Sequence, residues 1–380
     1  METIEWIGFA VGVVIVGWTW GSVIRTLMVP RPLLSRLSVV VGRTLRRAFV
    51  AVANRFDEYE VKDRVLAYSA PVSLLVVLVT WLALFVLGYG LIMWPLVPEG
   101  LPTAIREAGS STFTLGFHTT ETTGGTAFDF AAAMTGLIVV ALQIGYLPTI
   151  YSAFNRRETT VTMLQSRAGS PAWGPEILWR AQQVSLMQSL PDLYLEWERW
   201  TADVMESHTT YPVLIWFRAP HPLRSWVIGL LAVMDSAALY NALAPSSAPI
   251  EARLVLRMGF TCLRNIADVV GIRYDPDPLP SDPIELTYEE FLGGVRHLEE
   301  IGFPMERTPE EAWPHFQGWR VNYESIAYAL SDSVTAPPGP WSGPRQHLPG
   351  QQIIPQRPTN RRPEDPKAER ATAKRFDWHA

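Results

Sequence analysis

The backbone of residues 110–118 is the part of this chain that could do chemistry. The sequence Ser-Ser-Thr-Phe-Thr-Leu-Gly-Phe-His ends in the tract Thr114, Leu115, Gly116, Phe117 and His118. Thr114 adds a hydroxyl oxygen, and Gly116 permits a backbone conformation that is closed to most other residues. Rings of backbone carbonyl oxygens can replace the hydration shell of a cation. The carbonyl oxygens of such a tract could contact a cation if neighbouring segments hold the tract away from water.

Two long uncharged runs flank the tract, Val65–Pro98 before it and Phe130–Asn155 after it. Each run is long enough to cross a hydrocarbon core, which needs about 20 apolar residues. Between them, Leu101–Ser111 predicts a short helix with Pro102 near its start. The carbonyl end of a helix that enters the membrane favours a cation. The non-helical return is tolerated at that depth only where it packs in protein or lines water.

This order of outer span, short helix, Thr-Leu-Gly-Phe tract and inner span resembles the potassium-channel pore family, over residues 70–155. In that family a Thr-Val-Gly-Tyr-Gly-type tract lines the ion path. The resemblance implies a homotetramer, because one tract supplies only a quarter of a carbonyl ring. It also implies K+ or another monovalent cation as the permeating species, with no cofactor. Leu115 replaces the usual Val or Ile, and His118 replaces the second Gly, so ion selectivity stays open.

Gly145 and Pro148 in the inner span are the candidate gate hinge. Inner helices of the resembled family often bend at Gly or Pro to open the cytoplasmic mouth, and Pro148 removes one backbone hydrogen bond. The alternative is that Gly and Pro are simply frequent in membrane helices. His118 would stand at the outer mouth, where four protonated imidazoles would repel cations.

A further apolar segment, Trp6–Ile24, has no charge and predicts an N-terminal transmembrane anchor within residues 1–29. Loop 25–64 contains nine basic residues against four acidic ones, whereas Arg106 is the only basic residue of loop 98–129. Positive loops stay in the cytoplasm. The pattern predicts a multi-pass protein of the plasma membrane with its N-terminus outside, a pore domain over 65–157, and everything after it inside.

The basic loop, residues 30–64, contains an amphipathic pattern over Leu33–Phe56. A basic amphipathic helix beside a membrane commonly contacts anionic lipid, here through residues 31–55. The alternative is a helix that packs on the cytoplasmic part of the same protein. Its arginines lack the regular three-residue spacing of a voltage sensor.

Residues 158–335 predict one helical cytoplasmic domain, and 336–380 a disordered Pro-rich tail. Within the domain, Trp226–Leu243 is apolar enough to be a fourth span. We favour a buried soluble helix, because Asp235 and Asn241 would be costly in lipid. Trp319–Leu330 is predicted as the last helix, and Thr287 with Glu290 forms a capping-box pattern at the start of another.

The whole chain thus predicts an all-α membrane protein with three transmembrane helices, a re-entrant pore loop, a helical cytoplasmic domain and a disordered tail. No phosphate loop, dinucleotide fingerprint, zinc motif or nucleophile elbow is present, so we do not expect an enzyme. The net charge of −5 gives no reason to expect nucleic acid. The alternative function is a membrane-anchored sensor or scaffold with a helical interaction domain and no conduction.

Overall fold

A computed structural model describes residues 2–29, 35–118 and 122–344. Helices are the only regular elements in these ranges, which confirms the predicted all-α class. The α-helices of the described residues are α1 (Glu2–Leu27), α2 (Arg36–Ala53), α3 (Tyr59–Ala67), α4 (Ser69–Met93), α5 (Leu101–Thr112), α6 (Thr123–Ala168), α7 (Gly174–Gln183), α8 (Leu190–Thr210), α9 (Trp226–Leu243), α10 (Ile250–Val270), α11 (Tyr288–Glu299), α12 (Pro309–Arg320) and α13 (Glu324–Ser333).

Four helical stretches of the described chain are long and apolar enough to cross a membrane: Thr3–Leu27, Tyr59–Leu96, Thr123–Ala168 and Trp226–Leu243. In the first three, only 28%, 22% and 33% of the most apolar window is buried, whereas all of α9 is buried. Apolar helix surface that protein leaves uncovered needs lipid or another chain around it. The chain therefore has the helices of a membrane protein, and α9 alone has its apolar surface covered by its own domain.

The polar side chain at the middle of α9 is satisfied inside that domain. Arg320 donates to both carboxylate oxygens of Asp235, at 3.0 and 3.1 Å, and the Tyr323 hydroxyl donates to Asp235 at 2.8 Å. All three side chains are nearly or fully buried. A buried carboxylate needs such partners, since an isolated one is costly. The ion pair fixes α9 against the C-terminal end of α12.

Helices α1, α4, α5 and α6 form a bundle, and small residues let α1 and α4 approach each other closely where they cross. A Cβ added to Gly12 of α1 would come within 2.6 Å of the Gly88 carbonyl oxygen of α4. Trp81 of α4 donates its indole N–H to the Ser22 hydroxyl of α1 at 2.9 Å. Close glycine contacts and side-chain hydrogen bonds are what hold helices together in lipid. The N-terminal helix is thus packed along the outer helix, α4.

Three boundaries differ from those predicted. Helix α6 continues without a break from Thr123 to Ala168, through the expected end of the pore domain at 157. The predicted last helix, Trp319–Leu330, is wrong: α12 ends at Arg320 and α13 begins at Glu324. The start of the predicted tail also needs correction, because Trp341 is buried in the domain core and accepts a hydrogen bond from Arg320. Residues 30–34, 119–121 and 345–380 lie outside the described residues.

Two arginines connect the bundle to the helical domain. Arg157 of α6 is buried and donates to the carbonyl oxygens of Leu214 and Phe217, both at 2.7 Å. Arg218 donates to the Asp63 carboxylate of α3 and to the Val334 carbonyl oxygen. Hydrogen bonds with charged donors are about twice as strong as neutral ones. Helices α6 and α3 are therefore both attached to the helical domain.

Candidate functional site

Helix α5 runs back alongside α4 instead of continuing away from it. A Cβ added to Gly90 would come within 2.8 Å of Ile105, and one added to Gly109 within 3.7 Å of Val86. As the residue number rises in α5, its contacts therefore move toward the beginning of α4. The predicted helix Leu101–Ser111 is confirmed, with Thr112 as its last residue.

The end of α5 packs against the first third of α6. A Cβ added to Gly136 would come within 1.9 Å of the Thr112 carbonyl oxygen. Gly136 is 13 residues beyond Thr123 in the sequence, or about 20 Å along the helix at 1.5 Å per residue. Ser111 also donates to the buried carboxylate of Asp129 on α6. The contacts place the residues after Thr112 at the level of the apolar part of α6.

The chain then turns back toward α5 through the Ser110 side chain. The Ser110 hydroxyl oxygen accepts hydrogen bonds from the backbone N–H groups of Phe117, at 3.1 Å, and His118, at 3.2 Å. The Leu115 N–H donates to the Ser110 carbonyl oxygen at 2.8 Å. Ser110 therefore positions both ends of the tract. Sequence reasoning missed this role, although the Ser-Ser pair at the end of the short helix was a visible signal.

The backbone of the tract alternates between two conformations. Thr114 has φ +54° and Gly116 has φ +70°, whereas Leu115 between them is outside the positive-φ region. Left-handed backbone is open to Gly and costs other residues about 1–2 kcal/mol. Among the described residues, no donor bonds the carbonyl oxygens of residues 114–117. These oxygens are therefore available to a ligand.

The side chains of the tract project out of the single chain. Phe113, Leu115 and Phe117 are 50%, 63% and 60% exposed. The Phe117 backbone N–H, by contrast, donates to the Ser110 hydroxyl oxygen of α5. His118 does not adopt positive φ, so replacing the second Gly introduces no left-handed strain.

Helix α6 leaves one apolar stripe uncovered in the single chain. Phe130, Leu137, Ile144 and Tyr151 recur every seven residues and are 73%, 61%, 66% and 44% exposed. Such spacing places side chains on one helix face. Gln143 is on another face of α6. It is buried and lines a cavity between the bundle and the helical domain, so it does not join the exposed stripe.

The predicted hinge residues lie beside this stripe. Gly145 and Pro148 are both exposed, and a Cβ added to Gly145 would meet no atom within 4 Å. The Thr149 hydroxyl donates to the Gly145 carbonyl oxygen at 3.4 Å. Pro148 has no N–H for the helix ladder. The helix continues through both residues.

One histidine of the helical domain, His208, is held in buried contacts. His208 is buried, with Nε2 at 3.0 Å from an Arg157 nitrogen and Nδ1 at 3.0 Å from the Ser207 hydroxyl. Arg157 can only donate, so Nε2 is the acceptor and Nδ1 carries the proton. Burial, then the charge of Arg157, lowers the pKa of His208 well below its usual value. Within the described ranges, no cluster of His, Cys, Asp and Glu could hold a metal ion.

The fold and site together define an all-helical chain with long, apolar, partly uncovered helices and a short helix that returns between two of them. Comparison with family models, curated proteins and solved structures found no match to this chain.

Proposed function

We propose that this chain is one subunit of a tetrameric cation channel that conducts K+ or another monovalent cation through residues 114–118. The carrying observation is the set of carbonyl oxygens at residues 114–117 that accept no hydrogen bond from any described residue. Residues 114–117 are exposed in the single chain, and carbonyl groups that an assembly or a membrane removes from water require partners. A dehydrated cation is such a partner, because carbonyl oxygens replace its water ligands.

The alternating backbone supports the proposal. Positive φ at every second residue, Thr114 and Gly116, turns successive peptide groups so that their oxygens can line one side of the tract. The Ser110 hydroxyl binds the N–H groups on the other side. Four of the five N–H groups of residues 114–118 donate to Ser110 or Ser111. A segment in which most donors are engaged and the carbonyl oxygens are free is better suited to cations than to anions.

A single chain cannot complete this site. One tract offers one edge of a coordination ring, so four chains around one axis are needed. The exposed stripe of Phe130, Leu137 and Ile144 on α6 supplies apolar surface for contacts between copies. The exposed side chains of Phe113 and Leu115 supply more at the level of the tract. The channel proposal therefore requires the homotetramer, and a monomeric protein would contradict it.

The proposed membrane arrangement has three spans, α1, α4 and the first half of α6, with α5 and its return as a re-entrant pore loop. The basic loop 25–64 supports an N-terminus outside the plasma membrane and a helical domain in the cytoplasm. The complete burial of α9 supports its assignment to that domain. Gly145 and Pro148 are the proposed hinge, between the contact at Gly136 and the attachment at Arg157.

Potassium flux into liposomes that contain the purified chain tests the proposal. We expect flux above that of empty liposomes, and a loss of about tenfold or more in Gly116→Ala, because each of four subunits would then carry left-handed strain. Gly293→Ala is the matched control. Gly293 is a helical glycine of α11 with no atom within 4 Å of an added Cβ, so this variant should conduct like the parent chain.

Equal background leak for the parent chain and both variants would contradict the proposal. With intact folding, that outcome would favour a membrane-anchored sensor or scaffold whose spans only position the helical domain. The buried core of that domain, which contains all of α9, would be compatible with this second role.

A further inference from the structure

A cavity of about 430 Å³ lies where the bundle meets the helical domain. It is bounded by the C-terminal end of α1, the beginning of α4, helix α2 and the Tyr146 region of α6, with Trp216 on the domain side. Its walls are largely apolar, and the residues that make them apolar include Leu27, Val39, Leu74, Val77, Trp81 and Val213.

Three arginines line the same cavity: Arg25 at the end of α1, and Arg43 and Arg46 on α2. In the described ranges no carboxylate forms an ion pair with any of them. The Arg46 guanidinium lies 3.8 Å above the centre of the Trp216 ring. The cavity thus combines an apolar interior with positive charge that the described residues leave without an ion pair.

The pKa of Arg46 indicates that its charged form is unfavourable in this cavity. Burial, with a further contribution from the charge of Arg218, lowers the pKa of Arg46 to about 10. Arg218 already has its own carboxylate, Asp63. A cation that is partly removed from water and faces another cation is unfavourable until an anion approaches it.

We propose that this cavity binds one anionic phospholipid, with its phosphate at Arg25, Arg43 and Arg46 and an acyl chain along the apolar wall. Charge complementarity selects an anion, and the apolar wall at the end of three long apolar helices selects one with a hydrocarbon tail. The lipid would contact α2 and α6 together, since Gln143 and Tyr146 of α6 line the same space. The proposal does not depend on conduction.

Lipid retention on the purified full chain, measured by native mass spectrometry, tests the proposal. Phosphatidylglycerol should be retained in preference to phosphatidylcholine, which has the same tails and no net charge. The pair Arg43→Gln with Arg46→Gln should weaken retention about tenfold or more. The pair Arg36→Gln with Arg47→Gln removes two exposed charges of α2 outside the cavity, and should leave retention within about twofold of the parent.

A second variant tests the cavity without changing charge. Gly42 lines it and has no atom within 4 Å of an added Cβ, so Gly42→Phe should fill the space and lower phosphatidylglycerol retention with the fold intact. Equal losses in the two charge-removing pairs would overturn the proposal in favour of non-specific attraction to α2. Displacement of the lipid by inorganic phosphate would indicate a site for small anions. Cross-linking of a probe placed at position 43 to a second chain would indicate a protein contact. Either result would also overturn it.

Discussion

Gly136 of α6 touches the carbonyl oxygen of Thr112 at the end of α5, so closely that an added Cβ would lie 1.9 Å from that oxygen. The contact sets the depth at which α5 ends, and it therefore sets where the tract begins. Only a residue without a Cβ allows this approach.

Gly136→Ala should displace the end of α5 and destabilise the bundle by about 1–3 kcal/mol, as overpacking typically does. Gly145→Ala adds the same methyl group to the same helix where no atom is within 4 Å. Its thermal midpoint should stay equal or rise, since Ala is the better helix former. Thermal unfolding of the two purified variants in one detergent measures the difference. Similar midpoints would contradict the observed packing.

Ser110→Ala should loosen the tract, because it leaves the N–H groups of Phe117 and His118 without their acceptor. Each such loss costs about 1–3 kcal/mol when the group is buried. We expect the ratio of K+ to Na+ flux in liposomes to change. Ser166→Ala, which removes an exposed hydroxyl of α6, is the control. An unchanged ratio in Ser110→Ala would show that the hydroxyl does not position the tract.

The helical domain should lose stability as the pH falls below about 6.5, the usual pKa of histidine. The pKa of His208 is lowered by burial and by Arg157, so the unfolded chain binds the proton first. Unfolding is then favoured as the pH falls. The stability that neutral His208 contributes is fully present only above the pKa of this histidine in the unfolded chain. Thermal unfolding between about pH 5 and pH 8 measures it. His208→Gln should reduce the change of the thermal midpoint with pH. If the midpoint of both proteins changes equally with pH, other groups cause the pH dependence.

Asp235→Asn should destabilise the domain by about 3 kcal/mol, because it removes one of the two buried carboxylates that neutralise Arg320 and leaves only Glu324. Asp203→Asn breaks an exposed pair with Arg156 and should cost about 0–1 kcal/mol. Denaturant unfolding of both variants gives the comparison. If the two variants lose the same free energy of unfolding, the contacts of Asp235 do not hold α9 in the domain.

Local patterns allowed the sequence to predict the helices well. The helix Trp226–Leu243 begins and ends where its apolar run does, and Thr287 and Glu290 form the predicted capping box. The continuation of α6 to Ala168 was not predictable from the apolar run, since its later turns are polar and are held by tertiary contacts. The break between α12 and α13 was also missed. Tyr323 leaves the helical conformation there, with φ −137°, and its hydroxyl bonds Asp235 of α9, a contact between residues distant in the sequence.

The place of the candidate tract in the sequence could be predicted, but the contacts that hold the tract could not. The tract 114–118 and the positive φ of Gly116 follow from residue type. The contact between Gly136 and Thr112 and the pairing of Arg320 with Asp235 join residues that are far apart in the chain. No local spacing encodes such contacts, because they depend on how whole helices pack.

Electron cryomicroscopy of the purified chain in lipid nanodiscs with K+ tests the central claim most directly. The account predicts four chains around one axis, with the carbonyl oxygens of residues 114–117 converging on ion density inside the hydrocarbon region. Monomers, or assemblies in which these carbonyl groups face lipid or open solvent away from a common axis, would contradict it.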